Sequence, residues 1–137
     1  MKDLVLRASY TFNDARDRSQ GAVTHDVVNV PEHKIDLGVR YTIPYVTIPY
    51  IKSPIHLDLE GLYMGRIFYQ LPDLEFPTQP TETVHAYFTA NARLSTTFYK
   101  HFEVYVAVNN LMDKNFQSDY GLPGPGRTWY VGISAKY

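Results

Sequence analysis

The sequence predicts an all-β protein: an antiparallel meander of about six long strands forming a segment of a transmembrane β-barrel. Three observations carry that prediction. Apolar and polar residues alternate with a period of two in six separate segments. The segments run to about ten residues, whereas soluble strands have about five or six and a tilted membrane-crossing strand needs about 9–11. Aromatic residues gather towards the two ends of the segments, with aliphatic residues between.

The first segment sets Leu4, Leu6, Ala8, Tyr10 and Phe12 against Asp3, Arg7, Ser9, Thr11 and Asn13, with Val5 breaking the polar set. In the second, Ile35, Leu37, Val39, Tyr41 and Ile43 interleave with Lys34, Asp36, Gly38, Arg40 and Thr42. The third runs Ile55, Leu57, Leu59, Gly61, Tyr63, Gly65 and Ile67 against His56, Asp58, Glu60, Leu62, Met64 and Arg66. The fourth places Val84, Ala86, Phe88, Ala90, Ala92 and Leu94 opposite His85, Tyr87, Thr89, Asn91, Arg93 and Ser95. Phe102, Val104, Val106 and Val108 alternate with Glu103, Tyr105, Ala107 and Asn109 in the fifth. The last sets Trp129, Val131, Ile133, Ala135 and Tyr137 against Thr128, Tyr130, Gly132, Ser134 and Lys136. Each segment is therefore expected to be a strand with one apolar and one polar face.

Connections differ in length. Residues 14–32, 70–83 and 111–126 read as long loops on one rim, and residues 97–101 as a short turn on the other. Residues 44–54, with Pro44, Pro49 and Pro54, read as a connection that ends one strand and starts the next. Near the shorter turns lie Tyr41, Tyr45, Tyr50, Phe98, Tyr99, Phe102 and Tyr137; at the opposite ends lie Tyr10, Phe12, Phe68, Tyr69, Phe116 and Trp129. Two girdles around an aliphatic band are what a bilayer selects, because amphipathic rings settle at its interfaces.

Composition narrows the classes further. A chain of 137 residues is one domain on length alone. With 13 basic and 14 acidic side chains, the net charge of −1 gives no general attraction to nucleic acid. The 7 Phe, 12 Tyr and 1 Trp are too many aromatic residues for a disordered chain. Without cysteine there is neither a disulfide framework nor a thiolate metal site. No apolar run has the length of a membrane helix, and a mean hydropathy of −0.28 averages away the alternation of a β-barrel wall. The first residues, Met-Lys-Asp-Leu-Val-Leu-Arg, have no signal-peptide core. The expectation is a cytoplasmic chain or a piece whose export signal lies elsewhere.

The last third carries the most specific text. It contains Asn110-Leu111-Met112-Asp113-Lys114-Asn115-Phe116, then Pro123-Gly124-Pro125-Gly126-Arg127-Thr128, then a strand ending on Tyr137. Asn109, Asn110 and Asp113 are expected to bond nearby backbone amides and close a turn. Gly124 and Gly126 are expected to supply backbone freedom, and Pro123 and Pro125 to keep 121–126 out of a regular ladder. Arg127 is expected to pair with Asp113 or Asp119 as a clasp. These elements closely resemble the C-terminal end of TonB-dependent outer-membrane receptors, in the Asn-Leu-Phe/Met-Asp-Lys-x-Tyr/Phe element and the Gly-Arg-Thr that opens the last strand. The stretch Val30-Pro31-Glu32-His33-Lys34-Ile35 resembles the start of an upstream strand in the same family.

The resemblance makes residues 1–137 a single C-terminal barrel fragment, its plug domain and remaining strands absent, since such transporters have about 22 strands. It marks Asn110, Leu111, Asp113, Lys114, Gly126 and Arg127 as the family motif. It makes Trp129, Val131, Ile133, Ala135 and Tyr137 a signal read by the barrel-assembly machinery. It implies a bacterial cell outer-membrane location and transport of a scarce ligand, such as an iron–siderophore or cobalamin. The partners it implies are outer-membrane lipid and, for the full-length parent, a TonB-type energising protein. Open sheet edges add self-association of the fragment. A small oligomeric outer-membrane pore and a soluble β-barrel ligand-binding module are the alternatives.

Enzymatic chemistry and a cofactor are not expected. His25, His33, His56, His85 and His101 show no metal-ligand spacing. His56, Asp58 and Glu60 share a strand face, where the simpler expectation is pairing with Arg40 and Arg93 on neighbouring strands. There is no Gly-x-Ser-x-Gly element and no phosphate loop. Asp26, Asp73 and Glu75 read as solvated loop residues, and Met64 and Met112 as packing.

Overall fold

The computed structural model describes residues 3–14, 16, 30–48, 51–70, 81–98 and 101–135. Most of the loops 14–32 and 70–83 therefore lies outside the described residues, as do Tyr50, Tyr99, Lys136 and Tyr137. So does the side chain of Tyr45.

Ten strands follow one another, with no helix among the described residues: β1 (Leu4–Phe12), β2 (His33–Ile48), β3 (Ile51–Met64), β4 (Ile67–Gln70), β5 (Thr81–Val84), β6 (Tyr87–Phe98), β7 (Phe102–Asn109), β8 (Gln117–Asp119), β9 (Leu122–Pro123) and β10 (Thr128–Ala135). Six of them form one sheet in the order β1-β2-β3-β6-β7-β10, and every neighbouring pair is antiparallel. This is the predicted meander. It is open among the described residues, with β1 and β10 at its two edges.

Register sorts the side chains. Leu4, Tyr41, Leu57, Leu94, Val106 and Val131 face one another in turn across all six strands. One residue along, the row reads Val5, Arg40, Asp58, Arg93, Ala107 and Tyr130. Because successive residues of a strand point to opposite faces, these rows belong to two different surfaces. The alternation seen along each strand is thus kept in phase across the sheet, since a slip of one residue would exchange the faces.

The stretch 44–54 is not a long connection. β2 continues to Ile48 and β3 begins at Ile51, so the two strands form a tight hairpin. Pairing shifts between Ile43↔Ile55 and Val46↔Ser53, which sets Pro44 and Tyr45 against Pro54. A bulge is where a strand tolerates residues that donate no ladder hydrogen bond, and both prolines occupy it. Proline here marks an irregularity within a hairpin, where the sequence alone reads it as a loop.

Two of the predicted loops also contain strands. β3 breaks at residues 65–66, and β4 and β5 then extend the same hairpin beyond the main sheet. At the break Gly65 donates its N–H to the His33 carbonyl at 2.7 Å, and a Cβ there would lie 2.9 Å from that oxygen. β8 and β9 make a second small hairpin with irregular register, so 122–123 does pair despite Pro123. The buried apolar residues Ile67, Val84, Tyr87 and Val108 lie near these hairpins, at the end of the sheet opposite the 98–102 turn.

Candidate functional site

The apolar surface of the sheet is exposed. Leu4, Leu6, Leu37, Leu59, Leu94, Val106, Val131 and Ile133 all present large accessible side chains. On β10, Trp129, Val131 and Ile133 are 64%, 78% and 70% accessible, and they stand opposite Val108, Val106 and Val104 of β7. Ala135 completes that face opposite Phe102, while Tyr137 lies outside the described residues. A monomeric soluble protein rarely leaves so wide an apolar surface bare.

The polar surface carries ion pairs. Arg40 of β2 donates to Asp58 of β3, its register partner. Arg93 of β6 donates to Glu103 of β7 at 2.8 Å, and its guanidinium carbon stands 4.0 Å from the centre of the Tyr105 ring. Arg7 of β1 reaches Glu60 of β3 at 4.0 Å by crossing Gly38, the β2 residue between them. A Cβ at Gly38 would meet the Arg7 Nε at 3.2 Å. His56 and Thr42, partners in register, share a hydrogen bond of 3.0 Å. Of the expected partners of His56, Asp58 and Glu60, Arg40 is engaged as the sequence predicts, whereas Arg93 turns to Glu103. Among the described residues no three His, Asp or Glu side chains converge as a metal would require.

Aromatic residues divide between two environments. Tyr10 and Phe12 stack on His33 with ring centroids 6.1 and 5.3 Å apart, and the Tyr10 hydroxyl shares a 2.9 Å hydrogen bond with His33 Nδ1. Tyr10, Phe12, Trp129, Tyr41 and Phe102 are exposed, at the ends where the girdles are expected. Phe116 and Tyr69 are not part of a girdle. Phe116 stacks on Tyr87 at 4.6 Å, and Tyr69 leans on Tyr120 at 6.0 Å, so both join the packing of the small hairpins.

The motif residues Asn110, Leu111, Asp113, Lys114, Gly126 and Arg127 come together between β7 and β10. Asn110 is 4% exposed and adopts φ +50°, the left-handed region that Asn tolerates better than most residues. Its amide donates to the Lys114 and Pro125 carbonyls at 2.9 and 3.1 Å, and its Oδ1 accepts from the Lys114 N–H at 2.9 Å. Its own N–H donates to Asn91 Oδ1 at 3.0 Å, and the Leu111 N–H donates to the Ala90 carbonyl at 2.7 Å. Asp113, at φ +53°, accepts the Arg127 N–H at 2.9 Å and lies 3.6 Å from its guanidinium. Arg127 thus contacts Asp113, one of its two candidate partners. Asn109 instead continues the ladder opposite Thr128.

The glycines play a different part from the one expected. Among the glycines of the described residues, positive φ belongs to Gly121, whereas the turn's other left-handed residues are Asn110 and Asp113. Gly124 matters for room: a Cβ there would lie 2.3 Å from the Phe116 ring. Gly126 lies beside Asp113, where a Cβ would be 3.6 Å from Oδ1.

Outside the main sheet, the Tyr69 phenol is held above its ordinary range, first by burial and then by its hydrogen bond to the nearby Asp119 carboxylate. Both effects oppose a second negative charge. Comparison of the chain with protein-family models, with curated proteins and with solved structures returns no match.

Proposed function

We propose that this chain is wall and rim of a bacterial outer-membrane β-barrel receptor, resembling the TonB-dependent type, that takes up a scarce ligand such as an iron–siderophore or cobalamin. The observation that carries this reading is the division of one sheet into a bare apolar face and an ion-paired polar face. In a closed wall the first would meet lipid and the second an aqueous lumen. The strand lengths, the exposed aromatic residues at both ends and the turn built on Asn110, Asp113 and Arg127 support it further. The chain contributes wall and rim. Capture and release of the ligand, and coupling to a TonB-type partner, would belong to the assembled receptor. Lipid, the barrel-assembly machinery and strands that cover β1 and β10 are the partners this reading requires.

The free edges also favour a second reading, a small oligomeric pore in which β1 of one copy pairs with β10 of the next. In a six-stranded antiparallel meander the two edge strands run in opposite directions, as such pairing demands. Trp129 tests the membrane reading common to both. In vesicles containing brominated lipid its fluorescence is expected to be quenched, and the chain to need lipid or detergent to stay folded. A folded monomer in plain buffer, with Trp129 unquenched by added vesicles, overturns both membrane readings. Crosslinking of the inserted chain then separates a fragment that awaits other strands from a ring of copies.

A further inference from the structure

Beside the two small hairpins lies an open pocket of about 650 Å³ that the transport reading does not by itself assign. We infer that it is a binding site for a small ligand joining a flat aromatic ring system to a carboxylate. Its walls come from the β5–β6 link, the segment after the β7 turn and the β8–β9 hairpin. The volume falls within the ~300–1,000 Å³ of small-molecule sites.

Three features define the occupant. The floor is apolar and ring-shaped: Val84 and Tyr87 are buried, and Phe116 stacks on Tyr87 with centroids 4.6 Å apart. Stacked or tilted arrangements against such rings favour a flat unsaturated ligand over a branched aliphatic one. The pocket's charge comes from Lys114: no Asp or Glu lines it, and among the described residues Lys114 has no ion-pair partner. The polar surface elsewhere on the sheet is different, since Arg7, Arg40 and Arg93 each face a carboxylate. Finally, Tyr87 is only 8% exposed, yet among the described residues its hydroxyl has no hydrogen-bond partner. A buried hydroxyl left unpaired is costly, and a carboxylate oxygen in the pocket would satisfy it. Lys114 has no structural duty that competes, because Asn110 holds its backbone and leaves its side chain exposed.

The inference rests on the barrel reading only for the pocket's place on the rim. Its test uses the full chain in detergent, titrated calorimetrically with naphthalene-2-carboxylate, naphthalene-2-methanol and inorganic phosphate. The carboxylate is expected to saturate one site and to bind about tenfold more tightly than the neutral alcohol, the size of one charge-assisted hydrogen bond. Lys114→Gln should abolish that preference. Tyr87→Phe, which keeps the ring stack and the fold, should weaken the carboxylate several-fold; Lys34→Gln, on β2, should change nothing. Absence of saturation overturns the inference, as does equal affinity for the alcohol, an unchanged Lys114→Gln variant, or phosphate binding as well as the carboxylate. An inserted chain that ignores the carboxylate removes the pocket and leaves the barrel. One that binds it while folded in plain buffer does the reverse.

Discussion

The Tyr105 ring on β7 covers Gly132, its register partner on β10, so closely that a Cβ at residue 132 would lie 2.4 Å from Tyr105 Cζ. Above the same ring stands Arg93, which in turn holds Glu103. Gly132 therefore leaves space for a stack that ties β10, an edge strand, to β7 and β6. Arg7 over Gly38 is the same device at the other edge, where a long side chain occupies the space that a missing Cβ leaves. Edge strands lack one neighbour, and such cross-strand packing supplies contacts that their open side does not.

Gly132→Val should therefore loosen β10. The expected cost is about 1–3 kcal/mol, the range for forcing extra atoms into an occupied space. Urea unfolding in detergent measures it. Tyr105→Ser in the same chain should recover most of the loss, and a purely additive double variant would show that the ring is not the obstacle.

Asn110→Ala should cost about 2–3 kcal/mol, because it removes three side-chain hydrogen bonds that hold a part-buried turn, each worth about 1 kcal/mol. Asn110→Gly keeps that loss but relieves the left-handed backbone, so it should be the milder variant by about 1 kcal/mol. Equal costs would mean that the backbone conformation of this turn is not under strain when alanine occupies it.

Val131→Lys distinguishes the environments of the apolar face. In lipid vesicles a lysine near the bilayer middle costs about 2–4 kcal/mol, while Ser134→Lys on the polar face, opposite Glu103, costs close to nothing. Heat-modifiable gel mobility of the vesicle-inserted variants reports the difference. In a water-soluble sheet both changes would be harmless, since Val131 is already 78% accessible.

Tyr69 sets an alkaline dependence. Its phenol is raised in the folded chain, so between the unfolded and folded titrations the folded state holds the extra proton. Stability from this group is full below its ordinary value of about 10 and is lost as the pH rises through the folded one. Ultraviolet titration should show one late-ionising tyrosine, and Asp119→Asn should move it part of the way back, with burial keeping the remainder.

Strand identity and facing were legible because they depend on neighbours one and two residues away. The pairs Leu6/Arg7 and Trp129/Tyr130 declare their opposite faces in the chain itself, and the short 97–101 connection puts β6 beside β7. Alternation cannot express what two distant segments do together. Pro44 and Pro54 read as loop residues singly, and only their opposition across the β2–β3 pair turns them into a bulge. Phe116 and Tyr69 looked like girdle residues until the hairpins carried them to Tyr87 and Tyr120.

The order of residues by itself determined the all-β class, the six principal strands and the separation of apolar from polar faces, since a period of two is a local property of extended backbone. Tertiary structure alone decided that Arg93 pairs with Glu103, that Arg7 reaches Glu60 across Gly38, and that Tyr87 and Lys114 share a pocket. Those relationships join different elements of the chain, and register and side-chain volume, which the chain reveals only when folded, select them.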